Sequence, residues 1–250
     1  MKKMMLLPVL LAMNSLFAQS PVDTIRPGGF QMKYLPSGKQ SYLVYIVTKD
    51  RQKKSIWLWE RSTSREQWNS KEAIVIRQQW TSSDTGFNSR EILSVNDPVD
   101  FSPRFHLAVN PKTGKEAYDF KPGMISGSDT VNGNTKSGFT ITTNEPAFNW
   151  ELDLETFPLL PLKEGKSFSI HFYHPGSKTQ PDWYTYSVIG TETLRTFNGK
   201  SIDCYKLYTA YANNRGNSTW WLSKDTQEVI KMEEHFGPVT RYKIRLGVTE

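Results

Sequence analysis

Apolar and polar residues alternate along most of the chain, and short runs rich in Gly, Pro, Asn and Asp interrupt the alternation. A period of two is typical of a β-strand, in which successive side chains point to opposite faces of the sheet. The last such segment, TRYKIRLG at 240–247, is the most regular. Its apolar members are Tyr242, Ile244 and Leu246, and its basic members are Arg241, Lys243 and Arg245. We predict that the apolar set faces the core and the basic set faces solvent.

About a dozen strands follow from this pattern, joined by short turns. The predicted strands are 41–47, 54–62, 71–80, 89–95, 104–109, 114–120, 166–173, 183–195, 201–211, 217–223, 228–236 and 240–247. Residues 126–149 add a weak hairpin centred on Asn132-Gly133, and the best candidate for a helix is 150–157. A dozen strands in one sheet must curl or close. We therefore predict an all-β fold: a strongly curved antiparallel sheet or open barrel built from two meanders, which the segment 145–165 separates, with at most one short helix.

The N-terminus has the composition of a secretory signal. Two lysines precede an apolar run from Met4 to Met13, which is too short to span a bilayer, and Ala18 offers a cleavage position. No cysteine follows the apolar run, so we predict no lipid anchor. We expect residues 1–18 to be a signal peptide and residues 19–250 to form a single domain. The exported protein would be periplasmic or associated with the outer membrane, and peripheral to the membrane at most.

Charge and cysteine content narrow the class of protein. The 31 Lys and Arg against 25 Asp and Glu give a net charge of +6. The basic residues are scattered instead of clustered, so we expect no nucleic-acid partner. Cys204 is the one cysteine of the sequence, and an exported chain with a single cysteine has no internal disulfide. Because Cys204 lies in the apolar phase of its strand, we interpret it as a small buried hydrophobic residue.

The four histidines show no metal-binding spacing. His171 and His174 are three residues apart on a strand and would point to opposite faces, while His106 and His235 fall on outward-facing positions. A zinc site needs three or four protein ligands. The sequence also lacks the nucleophile, metalloprotease and phosphate-loop motifs. We therefore predict no metal site and no cofactor, and we favour a non-enzymatic function.

Aromatic residues are the unusual part of the composition, with 8 Trp and 11 Tyr. Trp57 and Trp59 share one face of their strand, whereas Trp220 and Trp221 must point to opposite faces. Either the rings fill a large β core, or they line an apolar groove on the concave side of the curved sheet. The second interpretation predicts ligand-binding roles for Trp57, Trp59 and Trp220. It requires that the protein's own side chains leave the concave face open.

The segment NWELDLETFP (149–158) carries three alternating acids, Glu151, Asp153 and Glu155. On a strand they would share one face, and the segment resembles the E-x-D-x-E strand of laminarinase-type and lichenase-type β-glucanases. That resemblance would make Glu151 the nucleophile and Glu155 the acid/base. On a helix, the acids would favour the N-terminal turns and Pro158 would end the helix. We favour the helix with its acids on a solvated edge, and the catalytic role of the three acids remains the alternative.

A longer series of motifs covers roughly residues 88 to 247. In order, the pieces are NDPVDFSPRFHLAV, GKEAYDFKPGMISG, LPLKEGKSFS, YSVIGTETLRTFNGKSIDCYKL, WWLSKDTQEVIKMEEHF and RYKIRLG. This order resembles an exported bacterial envelope family labelled only as a domain of unknown function. It also resembles the broader group of curved-sheet periplasmic carriers of lipids and lipoproteins. The resemblance implies that the LPL-x-x-G piece joins two meanders, and it supplies no catalytic residues.

These observations lead to one expected function and two alternatives. We expect a non-enzymatic envelope protein that binds a lipid or other apolar or amphiphilic ligand, or an envelope protein, on a concave aromatic face. The alternatives are a β-glucan hydrolase that uses Glu151 and Glu155, and a carbohydrate-binding module that uses Trp57 and Trp59. The carrier role rests on likeness of fold, and fold alone does not fix function.

Overall fold

A computed structural model describes residues 21–84, 89–196, 199–212 and 215–247. Within these ranges the chain forms one mostly antiparallel sheet of 16 strands, which is not closed, together with short helical turns. The predicted signal peptide at 1–18 lies outside the described residues. None of the helices within these ranges is long and apolar enough to cross a membrane.

All twelve strands predicted from the alternation are present. In chain order the strands are β1 Val22–Ile25, β2 Gly38–Thr48, β3 Lys53–Trp68, β4 Lys71–Ser82, β5 Arg90–Asn96, β6 Pro103–Asn110, β7 Gly114–Lys121, β8 Met124–Gly127, β9 Thr140–Thr142, β10 Phe148–Asn149, β11 Ser167–Tyr173, β12 Asp182–Arg195, β13 Ser201–Ala210, β14 Gly216–Ser223, β15 Val229–Phe236 and β16 Val239–Leu246. The weak hairpin is formed by β8 and β9, but a long connection (128–139) joins them in place of a tight turn at Asn132-Gly133.

The side chain of Asn134 holds the connection at 128–139 against β7. Asn134 Nδ2 donates to the carbonyl oxygens of Ala117 and Ser128, both at 2.9 Å. A side chain at Gly127 would collide with this connection, since an added Cβ would lie 1.7 Å from the carbonyl oxygen of Lys136. The loop therefore packs directly on the sheet, and only glycine allows that approach.

Two meanders form the sheet, as predicted. Strands β2 to β9 follow one another in sequence order, as do β11 to β16, and the meanders join where β16 pairs antiparallel with β2. The short strands β1 and β10 both pair in parallel with β11, on the side of β11 that does not pair with β12. The segment between β10 and β11 carries the chain from the first meander to the second, as the sequence predicts for 145–165.

The segment 150–159, here called the crossing helix, consists of a 3-10 turn Trp150–Leu152, an α-helical turn Asp153–Thr156 and a second 3-10 turn Phe157–Leu159. The side chain of Asn149 caps its start by accepting the N–H of Glu151 at 2.9 Å. Pro158 lies in the last turn, and Leu160 is already extended. The predicted helix is thus confirmed. The Asn149 cap favours its start, and Pro158 favours its end.

The crossing helix occupies the concave side of the sheet. Phe157 is fully buried, and its ring lies 4.8 Å from those of Tyr186 on β12 and Trp220 on β14. The same helix contacts β3, since Glu155 is hydrogen-bonded to Arg61. A helix this short can touch strands of both meanders only if the sheet wraps around it. We call the sheet face that packs on the crossing helix the inner face, and the opposite one the outer face.

The predicted assignment of the β16 side chains to the core and solvent faces is wrong. Lys243 is 2% exposed on the inner face, whereas Leu246 is 38% exposed. Tyr242 stacks on Tyr45 of β2 at a centroid distance of 5.0 Å, and strand alternation puts this pair on the outer face. Lys243 points inward because the crossing helix brings the Asp153 carboxylate to that side, which the alternation of β16 by itself does not reveal. Arg241 and Arg245 pair instead with Glu234 and Glu228.

Trp220 and Trp221 point to opposite faces, as predicted. Trp220 joins the main core around the crossing helix, and Trp221 packs on the outer face with Cys204 and Ile230. Cys204 is fully buried, and burial raises the pKa of its thiol to about 12. It is the small buried hydrophobic residue that the sequence predicts.

Candidate functional site

Glu155, the last acid of the triplet, is fully buried and ion-paired. Its carboxylate accepts hydrogen bonds from Nε of Arg61 at 2.7 Å and from Nη2 of the same guanidinium, and neither side chain is more than 1% exposed. Arg61 also donates to Oε1 of Gln78 at 2.6 Å. Burial alone would lower the pKa of Arg61, but the neighbouring Glu155 carboxylate outweighs it and raises the pKa. This bidentate pair fastens the crossing helix to β3.

The other two acids pair with cations from two further strands. Asp153 accepts a hydrogen bond from Nζ of Lys243 on β16, and Glu151 lies 3.1 Å from Nη2 of Arg90 on β5. Burial lowers the pKa of Lys243, and the charge of Asp153 opposes that shift. The prediction that the acids form a solvated edge is therefore wrong, because ion pairs to β3, β5 and β16 replace water around them.

The ion pairs bear directly on the β-glucanase alternative. That alternative needs the three acids on one strand, and the strand arrangement is wrong because the segment is helical. Glu155 has no exposed surface, so a proposed acid/base at this position would not reach a substrate while its pair with Arg61 persists. The arrangement instead gives each acid a structural partner.

His106 lies beside this network and is fully buried, so its predicted outward orientation is wrong. Its Nδ1 is 3.0 Å from both Oγ of Ser94 and Nδ2 of Asn149, and its Nε2 is 3.5 Å from Oε2 of Glu151. Burial lowers the pKa of His106, although the Glu151 charge opposes the shift. The ring is therefore neutral in the folded protein near neutral pH.

The neutral state of His106 predicts a loss of stability in mild acid. Unfolded His106 takes up a proton as the pH falls through about 6.5, whereas the folded ring resists it, so falling pH favours unfolding. We expect urea unfolding to show a smaller loss of stability between about pH 7.5 and about pH 5.5 in His106→Gln than in the wild type. His235→Gln, at a half-exposed ring, is the control. Identical pH dependence in wild type and His106→Gln would contradict the assignment.

An aromatic cleft of about 200 Å³ remains beside the crossing helix. In its wall Trp59 and Trp80 stack with centroids 3.9 Å apart. Trp59, Trp80 and Arg90 lie side by side on β3, β4 and β5. The Arg90 guanidinium lies 5.0 Å from the Trp80 ring and covers the ring face that is turned away from Trp59. Lys243 Nζ lies 4.9 Å from the Trp59 ring. Cations and a second indole thus occupy ring faces that a stacked ligand would use.

The structure places the three predicted ligand-binding tryptophans on the inner face, but not together in one open groove. Trp59 lines the aromatic cleft and is 7% exposed. Trp220 is 3% exposed against Phe157, and Trp57 is partly buried at the margin of the same core. The crossing helix fills most of the space that the open concave face would offer. A ligand-binding role for these residues stays a prediction.

The histidines of the HFYH motif are separated by the strand, as expected. His174 lines the aromatic cleft near Trp150, whereas His171 lies in another pocket beside Trp183. In the part of the chain that the structure describes, no three His, Cys, Asp or Glu side chains are placed to hold a metal ion.

A larger groove, of about 490 Å³, lies on the outer face across β2 to β6. We call it the outer groove. Two rows of cross-strand neighbours line it, and strand alternation puts both rows opposite the crossing helix. One row is Lys39, Ser62, Arg77, Leu93 and Leu107, and the other is Ser41, Glu60, Gln79, Glu91 and Val109.

The outer groove changes character along its length. Its β2 to β4 end is polar and charged, and its β5 to β6 end is formed mainly by Leu93, Leu107 and Val109. Leu93 and Leu107 also pack on a buried outer-face cluster that includes Val95 and Phe105. Sequence reasoning missed this site because its residues come from five strands and form no local motif.

The comparisons with known proteins identify a family and a fold. A family model described as a protein of unknown function, DUF3108, matches residues 39–244. A solved β-barrel-like protein of the domain of unknown function DUF1849 from Brucella abortus is similar with a TM-score of 0.53 and 8% identity, over 84% of this chain and 97% of that chain. No match was found among curated proteins.

Two further solved structures are similar to this chain at TM-scores of 0.33. One is a DUF1329 family protein from Desulfovibrio piger, with 11% identity over 90% of this chain and 96% of that chain. The other is a protein with a YmcC-like fold, described as exported, from Bacteroides fragilis, with 10% identity over 84% and 94%.

Proposed function

Because the chain belongs to the DUF3108 family of proteins of unknown function, we propose its function from its own surface: it is a non-enzymatic envelope protein that binds a single-chain amphiphile in the outer groove. The observation that carries this proposal is the passage from charged to aliphatic side chains along one groove of about 490 Å³. Ligand sites are typically concave, of 300 to 1,000 Å³, and largely apolar with a few polar groups.

The apolar end would hold the hydrocarbon tail. Leu93, Leu107 and Val109 are half-buried and adjacent across β5 and β6. Covering them would remove apolar surface from water, which stabilises a complex by about 25 cal/mol per Å². The cluster beneath Leu93 and Leu107 is already packed, so binding would not require the sheet to rearrange.

The polar end would hold the head group. It offers hydroxyl and amide groups and both signs of charge, with Lys39 and Arg77 near Glu60, while Glu91 on β5 lies opposite Val109 at the border of the apolar end. Arg77 is further tied to Glu66 through two contacts, at 2.6 and 2.9 Å. Because the charges of the lining balance, the surface complements a zwitterionic head better than a strongly anionic one.

Two observations support the proposal that the protein is not an enzyme and that it is exported to the envelope. Each acid of the triplet is paired with a cation inside the protein, which leaves the best catalytic candidates of the sequence in structural roles. The signal-like N-terminus supports export to the envelope. A soluble carrier for an amphiphile would be useful in that compartment, where lipids must cross an aqueous space.

Substituting the tail end of the outer groove tests the proposal. We expect the wild-type protein to bind lysophosphatidylcholine below its micelle concentration, measured by isothermal titration calorimetry. Leu107→Glu and Val109→Glu should each weaken binding about tenfold or more, because a carboxylate would meet the hydrocarbon tail. Leu58→Glu is the matched control, since Leu58 is 37% exposed on the same face but outside the groove.

The outcomes separate the outer groove from the aromatic cleft. Unchanged binding in both groove variants, with folding verified by circular dichroism, would overturn the proposal. Loss of binding in Trp80→Ala alone would place the amphiphile in the aromatic cleft and also overturn it. If the wild-type protein does not bind lysophosphatidylcholine, the proposed function as an amphiphile-binding protein is wrong.

A further inference from the structure

A third pocket, of about 540 Å³, lies where β9 and the residues after it face β11 and β12. We call it the seam pocket, because it lies beside the open edge of the sheet. It is separate from both the aromatic cleft and the outer groove. Its lining includes Thr142, Asn144, Glu145, His171, Gln180 and Trp183.

The seam pocket is built around a gap in the strand pairing of β11. Residues 167–170 of this strand pair with β1 and residues 172–173 pair with β10, so His171 is the one position between the two partners. The chain that leads into β10 passes beside the gap, and the carbonyl oxygen of Pro146 lies 2.9 Å from Nδ1 of His171. A carbonyl only accepts, so Nδ1 of His171 donates this hydrogen bond.

An indole is presented at this gap. Trp183 is 36% exposed, and its ring stacks on His171 at a centroid distance of 4.8 Å and an interplanar angle of 22°. The two residues are cross-strand partners on β12 and β11, so the sheet fixes the orientation of both rings. A rigid, partly exposed indole next to amide and hydroxyl groups provides one apolar surface and several hydrogen-bonding groups.

The charges at the seam pocket compensate each other. Nη2 of Arg26 lies 3.1 Å from Oε2 of Glu145, and the Arg26 guanidinium is 5.9 Å from the centre of the Trp183 ring. Asn144 and Gln180 add neutral amides that donate and accept. A ligand that carried a net charge would compete with the Arg26–Glu145 pair, whereas a neutral, hydroxyl-rich ligand would not.

From this combination we propose that the seam pocket binds a neutral saccharide. His171 covers one face of the Trp183 ring, so the apolar face of a sugar ring would lie against the part of the indole that stays exposed. The hydroxyl groups of the sugar would exchange hydrogen bonds with Asn144, Glu145 and Gln180. The pocket has the volume of a ligand site, and most of its lining side chains carry a hydrogen-bonding group. The proposal is independent of the amphiphile in the outer groove and uses none of its residues.

Glycan binding by the full-length mature protein tests the inference. A glycan array is followed by titration calorimetry with neutral cello-, chito-, malto- and manno-oligosaccharides. We expect the wild type to bind at least one neutral series, and Trp183→Ala to weaken that binding about tenfold. Gln180→Ala, a smaller change at the same pocket, should also weaken it. Phe236→Ala is the control, since it removes an aromatic ring that is 54% exposed elsewhere.

Each result decides the proposal in one direction. Loss of binding in both pocket variants, with wild-type melting temperatures and with Phe236→Ala unaffected, would establish the seam pocket as a saccharide site. Binding confined to charged glycans would overturn the proposed ligand class. Absence of binding on the array, or equal affinities for wild type and Trp183→Ala, would overturn the site. Lysophosphatidylcholine binding, measured on the same variants, should not change.

Discussion

Replacing Arg61 with alanine should lower the free energy of unfolding by about 3–5 kcal/mol, because it leaves the Glu155 carboxylate buried without its cation. Neither side chain is more than 1% exposed, so water does not substitute for the lost partner. The loss should appear as a lower urea midpoint with a similar slope, measured by tryptophan fluorescence. Gln78 would lose a partner as well, which adds to the effect.

Two further variants show whether the effect belongs to the buried pair. Arg65→Ala removes a guanidinium from the same strand, but Arg65 is 51% exposed beside Glu72, so its effect should stay within about 1 kcal/mol. Arg61→Met combined with Glu155→Leu should recover most of the loss, since apolar side chains often replace a buried pair without cost. A loss below about 1 kcal/mol in Arg61→Ala would contradict the proposed fastening of the crossing helix.

Phe157→Ala should cost about 3–5 kcal/mol for a different reason, the cavity left when a large core side chain is removed. Phe157 is fully buried between Tyr186 and Trp220, at 4.8 Å from each ring. Its loss would separate the crossing helix from the second meander, and differential scanning calorimetry would report it as a lower Tm.

The control for this cavity is Phe236→Ala, at a ring that is 54% exposed. Its Tm should change little, since surface substitutions typically stay within about 0.5 kcal/mol. Equal losses in Phe157→Ala and Phe236→Ala would show that the crossing helix does not depend on its aromatic packing.

The strands could be predicted because local alternation and turn residues specify them. Even β16, whose faces are inverted, lies within one residue of its predicted bounds. The order of motifs predicted the family, which the match over residues 39–244 confirms. The crossing helix could be predicted too, because the acids that favour its first turns and Pro158, which lies in its last turn, are local signals.

The faces of charged residues could not be predicted, because they depend on partners far away in sequence. The pairs Arg61–Glu155 and Lys243–Asp153 each join residues about ninety positions apart. Pattern reasoning assigns Lys243 to solvent, as it assigns His106, and both are buried because polar groups of other elements meet them. The outer groove and the seam pocket were missed for the same reason, since each is assembled from strands that become neighbours only in the sheet.

The pairing of β16 with β2 joins the last strand to the first long one, with Leu246 opposite Ser41. Contacts between residues so distant in sequence give a high contact order, and proteins dominated by them fold slowly, since a long loop must close before the contacts form. The first meander therefore has an unpaired edge at β2 until the C-terminal strand is synthesised. The native sheet cannot form before β16 has been synthesised, and until then β2 is available to any other strand.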